Sequence, residues 1–135
     1  YCDVVSFNAY ADLPQHHVDM ALMQTLDRPV LLSEFHFGSD DRGPLGAGVV
    51  PVADEAARGA AYARYLAAAT TNPLVVGAHW FEYADQPLTG RLLDGENSHI
   101  GLVGITDIPF GGFVRAVRAA NRSVAPPPRG APNGR

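Results

Sequence analysis

The chain has one cysteine, Cys2, in 135 residues, so it can form neither an internal disulfide nor a thiolate metal centre. That leaves the redox compartment open. No apolar run approaches the ~18 residues that a bilayer-spanning helix needs. Lysine and arginine nowhere cluster, and 10 basic against 14 acidic residues give a net charge of -4. This excludes the basic footprint of a nucleic-acid binder or of a protein held on an anionic membrane. There is no glycine-rich phosphate cradle, no serine in an elbow sequence and no His-x-His pair. An initiator methionine is also missing. Tyr1 leads almost directly into an apolar segment and reads as a cut made by processing or domain choice, so no signal peptide can be judged.

What is present is the composition of a folded domain. Apolar residues make up 47% and charged residues 18%, which argues against disorder, and the length suffices for one domain with a real core. Three short runs rich in β-branched residues stand out: Val4 to Phe7, Val30 to Leu32 and Leu74 to Ala78. Each is bounded by Pro, Asn, Asp or Gly, as a buried strand should be. Between the first two, His17 to Leu26 carries Val18, Ala21, Leu22 and Leu26 at helical spacing. Between the second and third, Asp54 to Thr71 is alanine-rich, with Tyr62, Tyr65, Leu66 and Ala69 on one core-facing side, and Asn72-Pro73 stops it. A long polar loop from Glu82 to about Pro109 precedes a last helix from about Phe110 to Ala120. That helix turns Phe113, Val114 and Val117 inward, with Asn121 as its C-terminal cap. Residues 123–135, rich in Pro and Gly, read as a disordered tail or linker.

Strand–helix alternation of this kind predicts parallel strands joined by right-handed crossovers, an α/β fold. Three parallel strands alone would leave both edges unpaired. A (β/α)8 barrel of about 250 residues or more would close them. Residues 1–122 therefore read as the C-terminal part of such a TIM barrel, about strands 6 to 8 with their helices.

In a barrel, chemistry sits at the carboxyl ends of the strands. The residues there are Asn8 and Tyr10 after the first run, Glu34 and His36 after the second, and His79, Trp80 and Glu82 after the third. Asp85, Gln86, Arg91, Glu96 and Asn97 follow in the long loop. Glu34 is the most telling, because an ionised carboxylate at the end of a buried strand costs desolvation energy unless something uses or pairs it. A carboxylate, amides and an aromatic platform suit a sugar. The carboxylate meets positive charge at an anomeric carbon, the amides bind hydroxyls, and an indole packs on the apolar face of a pyranose.

The stretch Ser33-Glu34-Phe35-His36-Phe37-Gly38, followed by Asp41-Arg42-Gly43, resembles the seventh-strand region of the β-agarases of glycoside hydrolase family 50. The run from Val76 through Trp80 to Arg91, continuing through Asp94-Gly95-Glu96-Asn97 and Ile100-Gly101-Leu102-Val103, resembles their eighth strand and its loop. The resemblance covers most of residues 3–120. It implies a retaining glycosidase that works by double displacement without a cofactor or metal, on β-galactosidic linkages of agarose-like galactans. Glu34 then matches the nucleophile, Tyr10 the tyrosine that hydrogen-bonds it, and Trp80 the aromatic floor. Asn8, His36, His79, Glu82, Asp85, Gln86, Arg91, Glu96 and Asn97 become candidate sugar contacts. The acid/base glutamate of that family, from the fourth strand, would lie ahead of Tyr1, so this chain alone is expected to be inactive. Secretion or a periplasmic site is expected on the same ground, since polymeric galactans are digested outside the cytosol.

Other readings of the same residues stand beside this one. Glu34 could hold Arg42 or Arg91, Trp80 could be core packing, and Tyr10 could be a structural hydrogen-bonding tyrosine. Arg91, Glu96 and Asn97 could satisfy the backbone of their own loop. The whole protein could be a β-galactosidase of small galactosides, a carbohydrate-binding relative without catalysis, or a metal-dependent hydrolase using His36, His79 and Asp85.

Overall fold

The computed structural model describes residues 2–124. The described residues form strands β1 (Val5–Asn8), β2 (Val30–Phe35) and β3 (Val75–Trp80), and helices α1 (Met20–Leu26), α2 (Glu55–Ala69) and α3 (Gly111–Val124). A single 3-10 turn, Pro14–His16, precedes α1. The strands lie in the order β1-β2-β3 and both pairs are parallel. This is the α/β alternation expected from the sequence.

The helices start where the sequence can satisfy their free backbone N–H groups. Asp19 accepts from the N–H groups of Ala21 and Leu22 to open α1, and Asp54 accepts from that of Ala57 to open α2. Helix α1 ends at Asp27, which adopts the left-handed conformation (φ 45°). Of the apolar residues at helical spacing, Val18, just ahead of α1, is buried, while Ala21, Leu22 and Leu26 are exposed; Met23 of α1 is buried. His16 and His17 lie in the preceding turn rather than in the helix. The last helix also runs further than expected. Asn121 is a helical residue whose side chain accepts from the Tyr62 hydroxyl at 2.8 Å, and Ser123 and Val124 continue the helix. The rest of the expected tail, 125–135, lies outside the described residues.

The core lies between one face of the sheet and helices α2 and α3. Val30, Leu32 and Phe35 of β2 turn toward the helices, where Phe35 stacks on Tyr65 at 4.2 Å and meets the edge of Trp80 at 5.3 Å. Tyr62, Tyr65 and Phe113 are buried there, as their helical spacing predicted. Burying each of these rings contributes about 2 kcal/mol of hydrophobic stabilisation. No described helix is long and apolar enough to cross a membrane.

The opposite face of the sheet carries polar side chains, and the register explains how. Phe7 pairs with Leu32 but Asn8 pairs with Glu34, and on the other side Leu32 pairs with Ala78 but Phe35 with Trp80. Strand β2 therefore has one residue more than either neighbour at Ser33–Glu34, a β-bulge. Leu32 and Phe35 both stay in the core, and the two residues between them turn to the open face.

Candidate active site

Glu34 stands at this bulge, at the C-terminal end of the central strand. Its Oε2 accepts a hydrogen bond of 2.6 Å from the Tyr10 hydroxyl. The backbone beside Tyr10 is held from two directions: Ala9 N–H donates to the Glu34 carbonyl at 2.8 Å, and the Ala9 carbonyl accepts from the Tyr65 hydroxyl at 2.8 Å. A residue of α2 thus fixes the approach of Tyr10 to the carboxylate. Burial and the Glu34 carboxylate both push the Tyr10 phenol well above its ordinary pKa, so it remains a protonated donor. Neither alternative arginine pairs with Glu34 among the described residues. Arg42 binds Glu55, and Arg91 binds Asp94 and Glu96.

Asn8 adjoins this pair on β1, where its Oδ1 accepts from the Ser33 hydroxyl at 2.9 Å. His79 is exposed near the end of β3. Phe81, just beyond β3, turns its ring edge to Tyr10 at 6.5 Å, and the Arg91 guanidinium lies 5.7 Å from the Phe81 ring centre. The Phe81–Glu82 peptide is cis. Arg91 and Glu96 form a half-exposed pair in the loop after β3, both close enough to act on the Tyr10 phenol electrostatically. Glu82 is partly buried beside this loop, and Asn97 donates toward the Pro44 carbonyl across the neighbouring loop.

His36 shares this end of the sheet but is buried, at 3% exposure. Its ring lies 4.7 Å from that of Tyr10, and its Nε2 accepts from the Val49 N–H at 2.9 Å. Nδ1 must then carry the proton. It is buried and has no hydrogen-bond partner among the described residues. Burial lowers the His36 pKa to about 4, against a smaller opposing effect of the Phe81 carbonyl, so the ring is neutral near pH 7.

Three candidates from the sequence are placed differently from a sugar contact. Trp80 faces the helices, packed 5.1 Å from Phe113 and 5.6 Å from Tyr62, with its Nε1 donating to the Ile100 carbonyl at 2.8 Å. It lies on the face of the sheet opposite Glu34, because it pairs in register with the core residue Phe35. Asp85 is buried, and both its oxygens are taken, one by His99 Nδ1 at 2.7 Å and the other by the Gly101 N–H at 2.7 Å. Gln86 is buried as well, donating to Glu96 at 2.9 Å and accepting from the Ser98 N–H at 2.7 Å. These two hold the loop together from inside.

The sequence offered no signal for Arg58 and His99, which share that interior. Arg58 is fully buried on α2, donating from Nε to the Phe37 carbonyl at 3.0 Å and from Nη2 to the Gly101 carbonyl at 2.7 Å. An arginine on a helix and a histidine 41 positions later meet only in the fold. Among the described residues no cluster of three or more His, Cys, Asp or Glu side chains could hold a metal ion. A cleft of about 580 Å³ lined by Asp41, Arg42, Glu55 and Gly112 opens between α2 and α3, away from Glu34.

No family model matches the chain. It is 43% identical over 124 residues to β-agarase B of Vibrio sp. (strain JT0107), and 37% identical over 123 residues to β-agarase A of the same strain. These matches take in 92% and 88% of the chain but only 13% and 12% of the relatives, so the chain spans about an eighth of their length. Among solved structures, an exo-β-agarase superposes with a TM-score of 0.86 at 42% identity, over 92% of this chain and 17% of that one. The agarase AgWH50C gives 0.85 at 40%, over 93% of this chain and 19% of that one. A β-glucuronidase of Faecalibacterium prausnitzii, at 23% identity and a TM-score of 0.57, over 89% of this chain and 22% of that one, shares the fold alone. These neighbours are glycoside hydrolases, and the parallel strand–helix units fit part of a TIM barrel. Two β-agarases and agarase structures of glycoside hydrolase family 50 thus match about nine-tenths of this chain, which corresponds to a segment of those longer proteins.

Proposed function

We propose that the chain supplies the nucleophile half of a retaining glycosidase site that cleaves β-galactosidic linkages in an agarose-like galactan. The observation that carries this reading is the Tyr10–Glu34 hydrogen bond at the carboxyl ends of parallel strands, on the open face of the sheet. A carboxylate held in one orientation by a protonated phenol is poised to attack an anomeric carbon and form a glycosyl-enzyme intermediate. The names of the relatives support a galactan as substrate. The strands correspond, on this reading, to the sixth, seventh and eighth of the barrel.

Asn8, His79, Glu82, Arg91, Glu96 and Asn97 remain the candidates for binding sugar hydroxyls. His36 offers its Nδ1–H if a ligand or water reaches it. Retention needs a second carboxyl group about 5–5.5 Å away that can donate a proton. That acid belongs to a part of the longer protein outside these 135 residues, and the fragment is inactive without it. No cofactor takes part, and a polymeric substrate favours action outside the cytosol.

The test uses the full-length protein and a fluorinated galactosyl fluoride, which traps the covalent intermediate. Peptide mapping should find the sugar on Glu34. A label on any other residue overturns the assignment. Glu34→Gln should abolish hydrolysis and keep binding of galactan oligosaccharides; near-normal turnover in that variant would also refute it.

A further inference from the structure

Beneath the loop that joins β3 to α3 lies a buried chain of three polar side chains, Arg58, His99 and Asp85, none more than 7% exposed. Arg58 Nη1 meets His99 Nε2 at 2.9 Å, and His99 Nδ1 meets Asp85 Oδ2 at 2.7 Å. A guanidinium can only donate, so Nε2 accepts, and Nδ1 carries the proton that binds the carboxylate. The second Asp85 oxygen takes the Gly101 N–H, and Arg58 reaches the carbonyls of Phe37 and Gly101. The guanidinium also lies over the Phe113 ring at 4.2 Å. One network therefore joins α2, the end of β2 and both stems of the β3–α3 loop.

The clamp is tight. A Cβ on Gly101 would fall 2.3 Å from the Asp85 nitrogen and 2.4 Å from the Val103 carbonyl oxygen. His99 N–H also donates to the Gly46 carbonyl at 2.7 Å, which ties in the loop after β2. Burying a cation and a carboxylate is costly, and apolar side chains of similar volume would fill the space at least as well. What an apolar filling could not do is fix individual backbone atoms of the loop by directed bonds. The arm held this way carries Arg91, whose guanidinium lies 5.7 Å from the Phe81 ring centre, and its ion-pair partner Glu96.

We propose that Arg58, His99 and Asp85 are positioning residues that set the height of the β3–α3 loop, so that Arg91 and Glu96 meet the galactan chain. The network thereby governs affinity for the polymer rather than the rate of bond cleavage. This rests on the glycosidase reading above. It predicts a separation between long and small substrates, because a monosaccharide reagent at Glu34 does not need the arm.

In the full-length protein, His99→Gln should raise KM for agarose-derived oligosaccharides about tenfold, the factor one directed hydrogen bond to substrate is worth, with a smaller change in kcat. Labelling of Glu34 by the fluorinated galactosyl fluoride should proceed at the wild-type rate. In an Arg91→Ala background the same substitution should add little, because both changes disable one arm. Additive effects, or a fall in kcat and in labelling at constant KM, would overturn the inference. Asp85→Asn is isosteric, keeps the acceptor for Gly101, and gives the same reading if His99→Gln does not fold. Failure of both to fold would make the network a folding determinant only and would also overturn it. A wild-type protein unlabelled at Glu34 refutes the glycosidase reading itself; a labelled one with additive variants refutes only the positioning role.

Discussion

Acidification should loosen the segment that follows β2, and His36 is the reason. Its imidazole is buried, its Nε2 holds the Val49 N–H, and its pKa is lowered to about 4 from the ordinary 6.5. Because the folded ring binds a proton more weakly than the unfolded one, the opened chain takes up the proton first as pH falls. Stability at this site is therefore whole above about pH 6.5, declines down to about pH 4, and is level below that. A shift of this size corresponds to about 3 kcal/mol across the window. Protonation would also place an N–H against the Val49 N–H, so the loss concentrates on that contact. Gly48 leaves no slack, since a Cβ there would lie 2.6 Å from His36 Nε2. The assay is hydrogen exchange of peptides covering residues 45–52 in the full-length protein, corrected for the intrinsic pH dependence of exchange. His36→Gln, which offers a neutral acceptor to Val49, is the control. Opening should become easier by about 3 kcal/mol in the wild type between pH 6.5 and pH 4, and stay nearly flat in the variant. Flat protection in the wild type, or an equal slope in both proteins, would refute the argument.

Tyr10→Phe removes the hydroxyl that holds Glu34 and leaves the ring in place. A hydrogen bond to a charged group is worth about 2 kcal/mol, so kcat/KM on galactan should fall by about thirtyfold, with the fold unchanged by circular dichroism. Unchanged kinetics would make Tyr10 structural only. The isolated 135-residue chain should aggregate or bind a hydrophobic dye without a cooperative melt, because β1 and β3 have unpaired edges among the described residues and Val76 is 64% exposed. A sharp melt from a monomer would contradict this.

The strand–helix alternation was legible because each strand begins in a short apolar run with a breaker on either side. Strand ends were not. Val30 to Leu32 and Leu74 to Ala78 were readable, but β2 continues through Ser33, Glu34 and Phe35, and β3 through His79 and Trp80. Ladder bonds do not depend on side-chain polarity, and a polar residue on the open face costs nothing there. The inner face of α1 was not legible, because Leu22 and Met23 are both apolar and spacing alone cannot say which of them is buried. Asn121 looked like a cap because its preference for helix ends is general. Its bond to Tyr62 is a tertiary fact that keeps the helix going.

The site divides along the same physical line. The Tyr10–Glu34 contact was legible because a carboxylate at a strand end is costly unless it is used or paired, and a phenol two residues past the neighbouring strand can reach it. Asp85 and Gln86 carry the same donors and acceptors as a sugar-binding residue, and only burial reveals that those atoms are spent inside the loop. Trp80 shows how a single step decides a role. Strand alternation and the bulge at Ser33–Glu34 put Phe35 and Trp80 together in the core and send Glu34 the other way. If Leu32, Ser33, Glu34 and Phe35 alternated with no bulge, Glu34 would face the helices, where an ionised carboxylate meets no water, and Phe35 would leave the core. The bulge is therefore what lets one strand keep Leu32 and Phe35 in the core while Ser33 and Glu34 both face the open side.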